Sequence, residues 1–203
     1  MASYKIYKYE GGRVPSRPRR RSTGWIILHR ITIGKGVKDI VDFFTEDYEG
    51  VATVTVSPTS KRLDAMREWR REGVPQWAKA ASFVPYNYLV DKDGEIHKML
   101  EDDARGAHCA GFNNTSIGVG IVGDFRKDLP TGAQVLSVKK LCRNLLWRYQ
   151  KDLESDAIHS HDEMLTMKNK NTKNCPGTFF PVDEVREWAQ LALEQMKSGT
   201  SRF

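Results

Sequence analysis

The chain has 203 residues, of which 39% are hydrophobic and 29% are charged. This length suits one compact domain, and 5 Trp, 7 Tyr and 8 Phe can fill its core, which excludes wholesale disorder. No apolar run approaches the roughly 18 residues of a membrane span, and residues 1–11 lack the apolar segment of a secretory signal. We therefore expect no membrane span, and a cytoplasmic location in the producing cell until another route releases the protein.

The charge balance is basic, with 32 Lys and Arg against 26 Asp and Glu and a formal net charge of +6. Much of the excess lies in residues 13–21 (RVPSRPRRR), so residues 1–23 are predicted to form a basic N-terminal arm. Such a cluster is compatible with a solvated tail or with an arm that binds an anionic polymer. The three cysteines are an odd count without a CxxC pair, which favours a reducing compartment over a disulfide framework.

Strands and helices alternate in the first half of the chain. The apolar run Trp25–Leu28 predicts a buried strand that ends at His29. Residues 37–44 have the spacing of a short helix, and Val51–Val56 alternates as a β-branched strand. Helical spacing returns in residues 63–70.

Further elements follow in the second half. Tyr86–Val90 and Glu95–Leu100 predict a β-hairpin around the turn Asp93-Gly94. Ser116–Val122 predicts another strand, in which alternate glycines allow another group to approach the backbone closely.

Two helices close the chain. Thr131-x-x-Gln134 has the pattern of a capping box ahead of a long amphipathic helix, and Pro181 opens a final helix. The interleaved elements predict an α/β or α+β domain over residues 24–197, with a central mixed β-sheet flanked by helices. Residues 198–203 are then a C-terminal tail.

The candidate metal ligands are two histidines and one cysteine. His29 ends a buried strand, His161 follows the long helix, and Cys175 lies in a polar loop before the last helix. Two imidazoles and a thiolate are a known ligand set for catalytic zinc, which keeps a fourth position for water. Spacing alone leaves other interpretations open: His29 could be a hydrogen-bonded core histidine, and Cys175 a small buried hydrophobe. His159, two residues before His161, competes with it for the ligand role.

Four sequence blocks carry a family resemblance. They are Trp25–His29, Tyr86–Gly94, Gly106–Val119, and the closing pair of His161-x-Glu163 with Lys173-x-Cys175-Pro176-Gly177. The third block matches G-x-H-x-x-G-x-N-x-x-S-I-G-V position for position. In this order the blocks resemble the zinc-dependent N-acetylmuramoyl-L-alanine amidases of the type-2, peptidoglycan-recognition-like family, in particular small phage lysozymes that are amidases. The resemblance implies the fold of that family in a single domain.

The resemblance also implies an activity, which is hydrolysis of the amide between N-acetylmuramic acid and L-alanine in peptidoglycan. It makes His29, His161 and Cys175 the ligands of one Zn²⁺ per chain and favours His161 over His159. A zinc ion lowers the pKa of its water from about 15.7 to about 7. Lys173 and Tyr86 then become the catalytic candidates, because a cation and a phenol can donate to the oxyanion of the tetrahedral intermediate.

Other residues of the matched blocks receive roles around this centre. His108, Asn113 and Asn114 are expected to bind the muramyl-peptide substrate, although the two asparagines are also typical of turns. Glu163 is expected to support a histidine N–H of the metal site or to shuttle a proton. Asn87 departs from the family pattern, because many members have a histidine after the active-site tyrosine.

Three functions share these features. The first is a phage or prophage endolysin, the second a non-catalytic peptidoglycan-recognition module, and the third a cytoplasmic amidase that recycles soluble muropeptides. Modules that only bind typically lack the cysteine ligand, whereas Cys175 is present. The expected partners are peptidoglycan and, through the arm, anionic wall polymer. Nucleic acid is not an expected partner, and a monomer is expected.

Overall fold

The computed structural model describes residues 5–6, 23–32, 85–149 and 156–199. These residues form six strands and three helices: β1 (Lys5–Ile6), β2 (Trp25–Ile31), β3 (Tyr88–Val90), β4 (Ile96–Lys98), β5 (Ser116–Val122), α1 (Gly132–Tyr149), β6 (Ile158–Ser160), α2 (His161–Thr166) and α3 (Val182–Lys197). The elements predicted for residues 37–44, 51–56 and 63–70 lie outside the described residues.

The strands form one mixed sheet in the order β1-β4-β3-β5-β2-β6. The pair β3–β4 is the predicted antiparallel hairpin, and the other neighbouring strands are parallel. The predicted α/β architecture with a central mixed sheet is therefore confirmed. Strand β1 lies within the segment 1–23 that was expected to be an arm, and its pairing with β4 makes Lys5 and Ile6 part of the sheet edge.

The centre of the sheet is the parallel pair β2–β5, aligned residue by residue from Trp25 opposite Ser116 to Ile31 opposite Val122. All seven residues of β5 are buried. Parallel strands covered on both faces have such continuous apolar sequences, because neither face meets water. His29 lies opposite Gly120 in this register, near the carboxyl end of β2.

The two long helices pack against one face of the sheet. Ile26 and Leu28 of β2 contribute to the same core cluster as Leu141 of α1 and Val185 of α3. Because strand side chains alternate between faces, His29 lies on the face opposite to these helices, with Ile27.

Sequence signals at the helix ends are confirmed. The backbone N–H of Thr131 donates to the side chain of Gln134, and the N–H of Gln134 donates to the hydroxyl of Thr131, both at 3.1 Å. Pro181 is the N-cap of α3. In the part of the chain that the structure describes, no helix is long and apolar enough to cross a bilayer.

Candidate metal centre and active site

Three side chains converge at the carboxyl end of the central strands. His29 comes from β2, His161 is the first residue of α2, and Cys175 lies in the loop before α3. One potential donor atom from each lies within 4.8 Å of the others, with 4.0 Å between His29 Nδ1 and Cys175 Sγ. Since β6 pairs parallel to β2 and leads directly into α2, the fold brings together residues that are far apart in sequence.

His159, the competing histidine, has a different environment. It lies in β6 opposite Ile27, and its ring packs edge-on against Trp25 with centroids 5.1 Å apart. The His161 ring lies 4.5 Å from the His29 ring, centroid to centroid. His161 is therefore the histidine that the described geometry groups with His29 and Cys175.

Burial decides the protonation of the three donors. It lowers the pKa of His29 well below its usual value, with further lowering from His108 and His161. Burial and the charge of Lys173 lower the pKa of His161 to about 4. Both imidazoles are thus neutral at pH 7 and can offer a lone pair. Burial raises the pKa of Cys175, whereas the nearby Arg30 acts in the opposite direction.

Tyr86 and His108 border the same cluster. The Tyr86 ring is 5.2 Å from the His29 ring and 6.4 Å from the His108 ring, centroid to centroid. Burial, together with the charge of Cys175, raises the pKa of Tyr86, so its phenol keeps its proton and can donate a hydrogen bond. His108 Nδ1 lies 3.1 Å from His29 Nε2, on the side of that ring away from Cys175.

The two asparagines lie in the loop that carries His108. The side-chain oxygen of Asn113 accepts hydrogen bonds from the backbone N–H groups of His108 at 3.0 Å and Cys109 at 2.7 Å. These contacts fit the turn interpretation of Asn113. The side-chain oxygen of Asn114 is buried and accepts no hydrogen bond from any described residue.

The guanidinium of Arg30 attaches the ligand loop, which carries Lys173 and Cys175, to the sheet. Arg30, which follows His29 in β2, donates to the backbone carbonyls of Asn174 and of Lys173, the latter at 3.2 Å. Its Nε lies 3.5 Å from a carboxylate oxygen of Asp124. The backbone N–H of Lys173 donates to Asp162 at 2.8 Å, which ties the same loop to α2. The loop that carries Lys173 and Cys175 is therefore held on two sides.

Glu163 caps the helix that begins with His161. Its carboxylate accepts from the backbone N–H of Ser160 at 2.6 Å, while the Ser160 hydroxyl accepts from the N–H of Glu163. Arg186 donates to it at 3.0 Å, and His159 Nδ1 lies 3.7 Å away. Burial opposes ionisation, but these partners together lower the pKa of Glu163 to about 2. The histidine that Glu163 faces is His159.

The family follows from comparison with known sequences. A family model described as N-acetylmuramoyl-L-alanine amidase matches residues 25–178. The chain belongs to this family. The matched segment begins with the strand that carries His29 and ends after Cys175, so it contains all three converging donors.

Individual relatives include an animal protein and a phage protein. Peptidoglycan-recognition protein LE of Drosophila melanogaster is 33% identical over 105 residues, which are 52% of this chain and 28% of that protein. The endolysin of Escherichia phage T7 is 30% identical over 134 residues, 62% of this chain and 79% of that one. The amidase-family chain spans about half the length, or less, of the first curated relatives that it matches.

A solved structure confirms the single-domain amidase fold. The N-acetylmuramoyl-L-alanine amidase LysC from Clostridium intestinale URNW superimposes with a TM-score of 0.58 at 18% identity. The match covers 99% of the present chain and 100% of LysC.

Two features of this amidase-family site were not predicted from the sequence. The bridge from Arg30 to the ligand loop had one local signal, which is a charged residue directly after a buried apolar strand. The contact between His29 and His108 had no local signal, because the two residues are 79 positions apart.

Proposed function

We propose that this chain is a zinc-dependent peptidoglycan amidase that hydrolyses the bond between N-acetylmuramic acid and L-alanine. The observation that carries the proposal is the convergence of His29, His161 and Cys175, whose donor atoms lie within 4.8 Å of one another. Membership of the amidase family supports the reaction type.

The donor set fits zinc. Two neutral imidazoles and one cysteine sulfur match the borderline-soft character of Zn²⁺, and three protein ligands leave a position for water. Bound zinc would act as a Lewis acid and lower the pKa of that water. His29, His161 and Cys175 would hold one ion per chain, because each offers one donor atom to the group.

Lys173 and Tyr86 are the proposed catalytic residues. The positive charge of Lys173 acts on the group formed by His29, His161 and Cys175, since it contributes to the lowered pKa of His161. A cation there stabilises negative charge on the substrate carbonyl oxygen in the transition state. Tyr86 retains its phenolic proton and can donate a second hydrogen bond to the same oxygen or orient the attacking water.

The substrate would contact the loop that begins at Gly106. His108, Asn113 and Asn114 are the proposed binding residues, and the Asn113 hydrogen bonds give this loop its shape. Glu163 is proposed to hold the amino end of α2, and hence His161, rather than to shuttle the proton, because its carboxylate is bonded to Ser160 and Arg186.

The biological role that we propose is bacterial cell-wall lysis as a phage or prophage endolysin. The similarity to the endolysin of Escherichia phage T7, over 79% of that protein, supports this role. The protein would act as a monomer and stay in the cytoplasm of the producing cell until its release. Residues 24–197 would form the amidase domain, with residues 1–23 as a basic segment that attracts anionic wall polymer and residues 198–203 as a tail.

One digestion experiment tests the reaction, the metal and the role together. Purified peptidoglycan is incubated with the full chain, with and without a strong chelator, and new alanine amino groups and new reducing sugars are measured. We expect amino groups without reducing ends, loss of activity with chelator and recovery with zinc. Reducing ends at the rate of lysis would indicate a glycosidase, which needs two facing carboxylates. Binding without hydrolysis would indicate a recognition module.

A parallel assay on soluble muropeptides separates the wall-lytic role from a recycling role. An endolysin is expected to open intact walls at a rate that parallels amine release. An enzyme that cleaves soluble muropeptides but leaves intact walls unopened would instead be the recycling amidase.

A further inference from the structure

We propose that His108 is a positioning residue that fixes the tautomer of His29, and that Ser116 in turn fixes the tautomer of His108. The inference rests on the proposed zinc site, and it concerns which nitrogen of His29 carries the proton before any metal or substrate binds. His108 Nδ1 lies 3.1 Å from His29 Nε2, and Ser116 Oγ lies 3.4 Å from His108 Nε2.

The direction of these hydrogen bonds follows from the group that Ser116 contacts, which is the backbone carbonyl of Phe112. The hydroxyl of Ser116 lies 2.7 Å from the backbone carbonyl of Phe112, and a carbonyl can only accept. Ser116 has one hydroxyl proton and donates it there, so toward His108 its oxygen is an acceptor. His108 therefore carries its proton on Nε2 and presents the lone pair of Nδ1 to His29.

The tautomer of His108 determines the tautomer of the proposed ligand His29. Because His108 Nδ1 accepts, His29 must carry its proton on Nε2, and its Nδ1 presents a lone pair. That Nδ1 is the atom 4.0 Å from Cys175 Sγ. The hydrogen bonds that link Phe112, Ser116 and His108 thus leave Nδ1 of His29 as the nitrogen that can bind a metal. Partners of this kind usually fix the ring and the tautomer of ligating histidines.

The residues around His108 restrict the position of its ring. A Cβ at Gly118 would lie 2.6 Å from the His108 ring, and one at Gly106 would lie 2.8 Å from it. The ring is therefore seated against two glycine backbones, and His108 is 8% exposed. The side-chain oxygen of Asn113 accepts a hydrogen bond from the backbone N–H of His108.

The test measures zinc alone, without substrate. Full-length wild-type protein, His108→Ala and Ser116→Ala are prepared metal-free, and the zinc dissociation constant of each is measured by competition with a chromophoric chelator. We expect His108→Ala to weaken zinc binding about 10–100-fold, the usual effect of losing such a partner. Ser116→Ala should weaken it about fivefold, as the loss of one ordinary hydrogen bond would.

Thr115→Val is the matched control. Its hydroxyl donates to the same Phe112 carbonyl, at 3.2 Å, but this bond does not involve His108. The variant should bind zinc like the wild type. Equal weakening in Thr115→Val and Ser116→Ala would mean that only the loop, and not the tautomer, was disturbed, which would overturn the proposal.

A spectroscopic measurement reads the tautomer directly. Proton–nitrogen correlation spectra of the metal-free wild type, with histidine nitrogens labelled, should show His29 and His108 protonated at Nε2 and bare at Nδ1. In Ser116→Ala, both tautomers of His108 should appear. A proton on Nδ1 of His29 in the wild type, or unchanged zinc affinity in a folded His108→Ala, would sink the proposal. If the wild type itself binds no zinc, the proposed function fails with it.

Discussion

Asp102 and Cys175 are both buried groups that can carry a negative charge, yet their surroundings differ in kind. Asp102 is 5% exposed and accepts hydrogen bonds from Tyr88, from Tyr149 at 2.9 Å and from Arg148 at 2.6 Å, with Lys98 at 3.5 Å. Burial would raise its pKa, but these partners together lower it. The donors and cations around Asp102 thus compensate the negative charge of its carboxylate.

The cluster around Cys175 is arranged in the opposite way. Burial lowers the pKa values of His29 and His161, so both imidazoles offer lone pairs. It raises the pKa of Cys175, whose thiol would release its proton on binding a metal. A compensated cluster stabilises a fold, because every buried polar atom has its partner. A cluster of converging lone pairs is suited to a cation supplied from outside. Changes in the two clusters are therefore expected to have separable effects.

The largest effect is expected for Cys175→Ser. A serine hydroxyl is a poor zinc ligand, so zinc content and amidase activity should fall together to near background, while the metal-free protein unfolds at nearly the wild-type denaturant concentration. Elemental analysis and a peptidoglycan digestion measure the first two quantities. Cys142→Ala, at a buried thiol in the α1 core, is the control and should keep its zinc. Full zinc content in Cys175→Ser would contradict the assignment.

Lys173→Ala should affect catalysis without affecting the metal. It leaves all three donors in place and removes a cation near the developing oxyanion, for which the typical loss is about 10²–10³ in kcat, or about 2.7–4 kcal/mol. Zinc stoichiometry should stay at one and KM should change little, because the charge exists mainly in the transition state. Lys170→Ala, at another exposed lysine between α2 and α3, is the control and should leave kcat and zinc content nearly unchanged. Lost zinc in Lys173→Ala would show a structural role instead.

Asp102→Asn should have the reverse pattern. It removes the charge from a hydrogen-bonded cluster and should cost about 1.5–3 kcal/mol of unfolding free energy at pH 7, with zinc affinity unchanged. Burial opposes ionisation, but its hydrogen-bond partners hold the folded-state pKa of Asp102 below the usual aspartate value, so its stabilisation is present above that value and is lost as the pH falls further. Urea unfolding at pH 7 and below pH 4 should show the difference between wild type and variant shrinking. A difference that grew in acid would contradict the sign.

Arg30→Lys tests the link between the sheet and the ligand loop. Lysine keeps the charge but cannot reach two carbonyls as a planar fork does. Losing one charge-assisted hydrogen bond, about 1.5 kcal/mol, should lower kcat about tenfold if Lys173 is displaced. Arg143→Lys on α1, where the guanidinium contacts Asn144, is the control. Wild-type kcat in Arg30→Lys would show that the loop keeps its place without this bridge.

The smallest effect is expected for the basic segment. Replacing the five arginines within residues 13–21 by glutamine would lower the formal net charge from +6 to +1. Attraction to anionic wall polymer is screened beyond about 8 Å at physiological salt, so wall digestion should slow by less than tenfold at low salt and hardly at all at high salt. Turnover of a soluble muropeptide is the control and should not change. A loss of both activities would show that these arginines contribute to the fold or to catalysis.

Local patterns were sufficient for the elements that are long or sharply delimited. The strand Ser116–Val122 and the capping box at Thr131 appear where the sequence predicts them, whereas the strand that begins at Trp25 continues past its predicted end at His29 to Ile31. Strand β6 and helix α2 were not predicted, because three and six residues are too few for periodicity to be recognisable. Ser160 and Glu163 form a capping box at the start of α2, whereas the sequence predicts for Glu163 only a role at the metal site.

The residue types of the site, and the strand that carries the first of them, can be recognised without the structure. His29 could be assigned to the end of a buried strand because burial on both faces leaves an uninterrupted apolar run. Which side chains meet depends on the packing of distant segments. Parallel pairing of β2 with β6 sets His161 beside His29, and the glycine at position 118 admits His108 to the other side of that ring. These contacts depend on strand register and on backbone approach between distant segments, and no local periodicity encodes either.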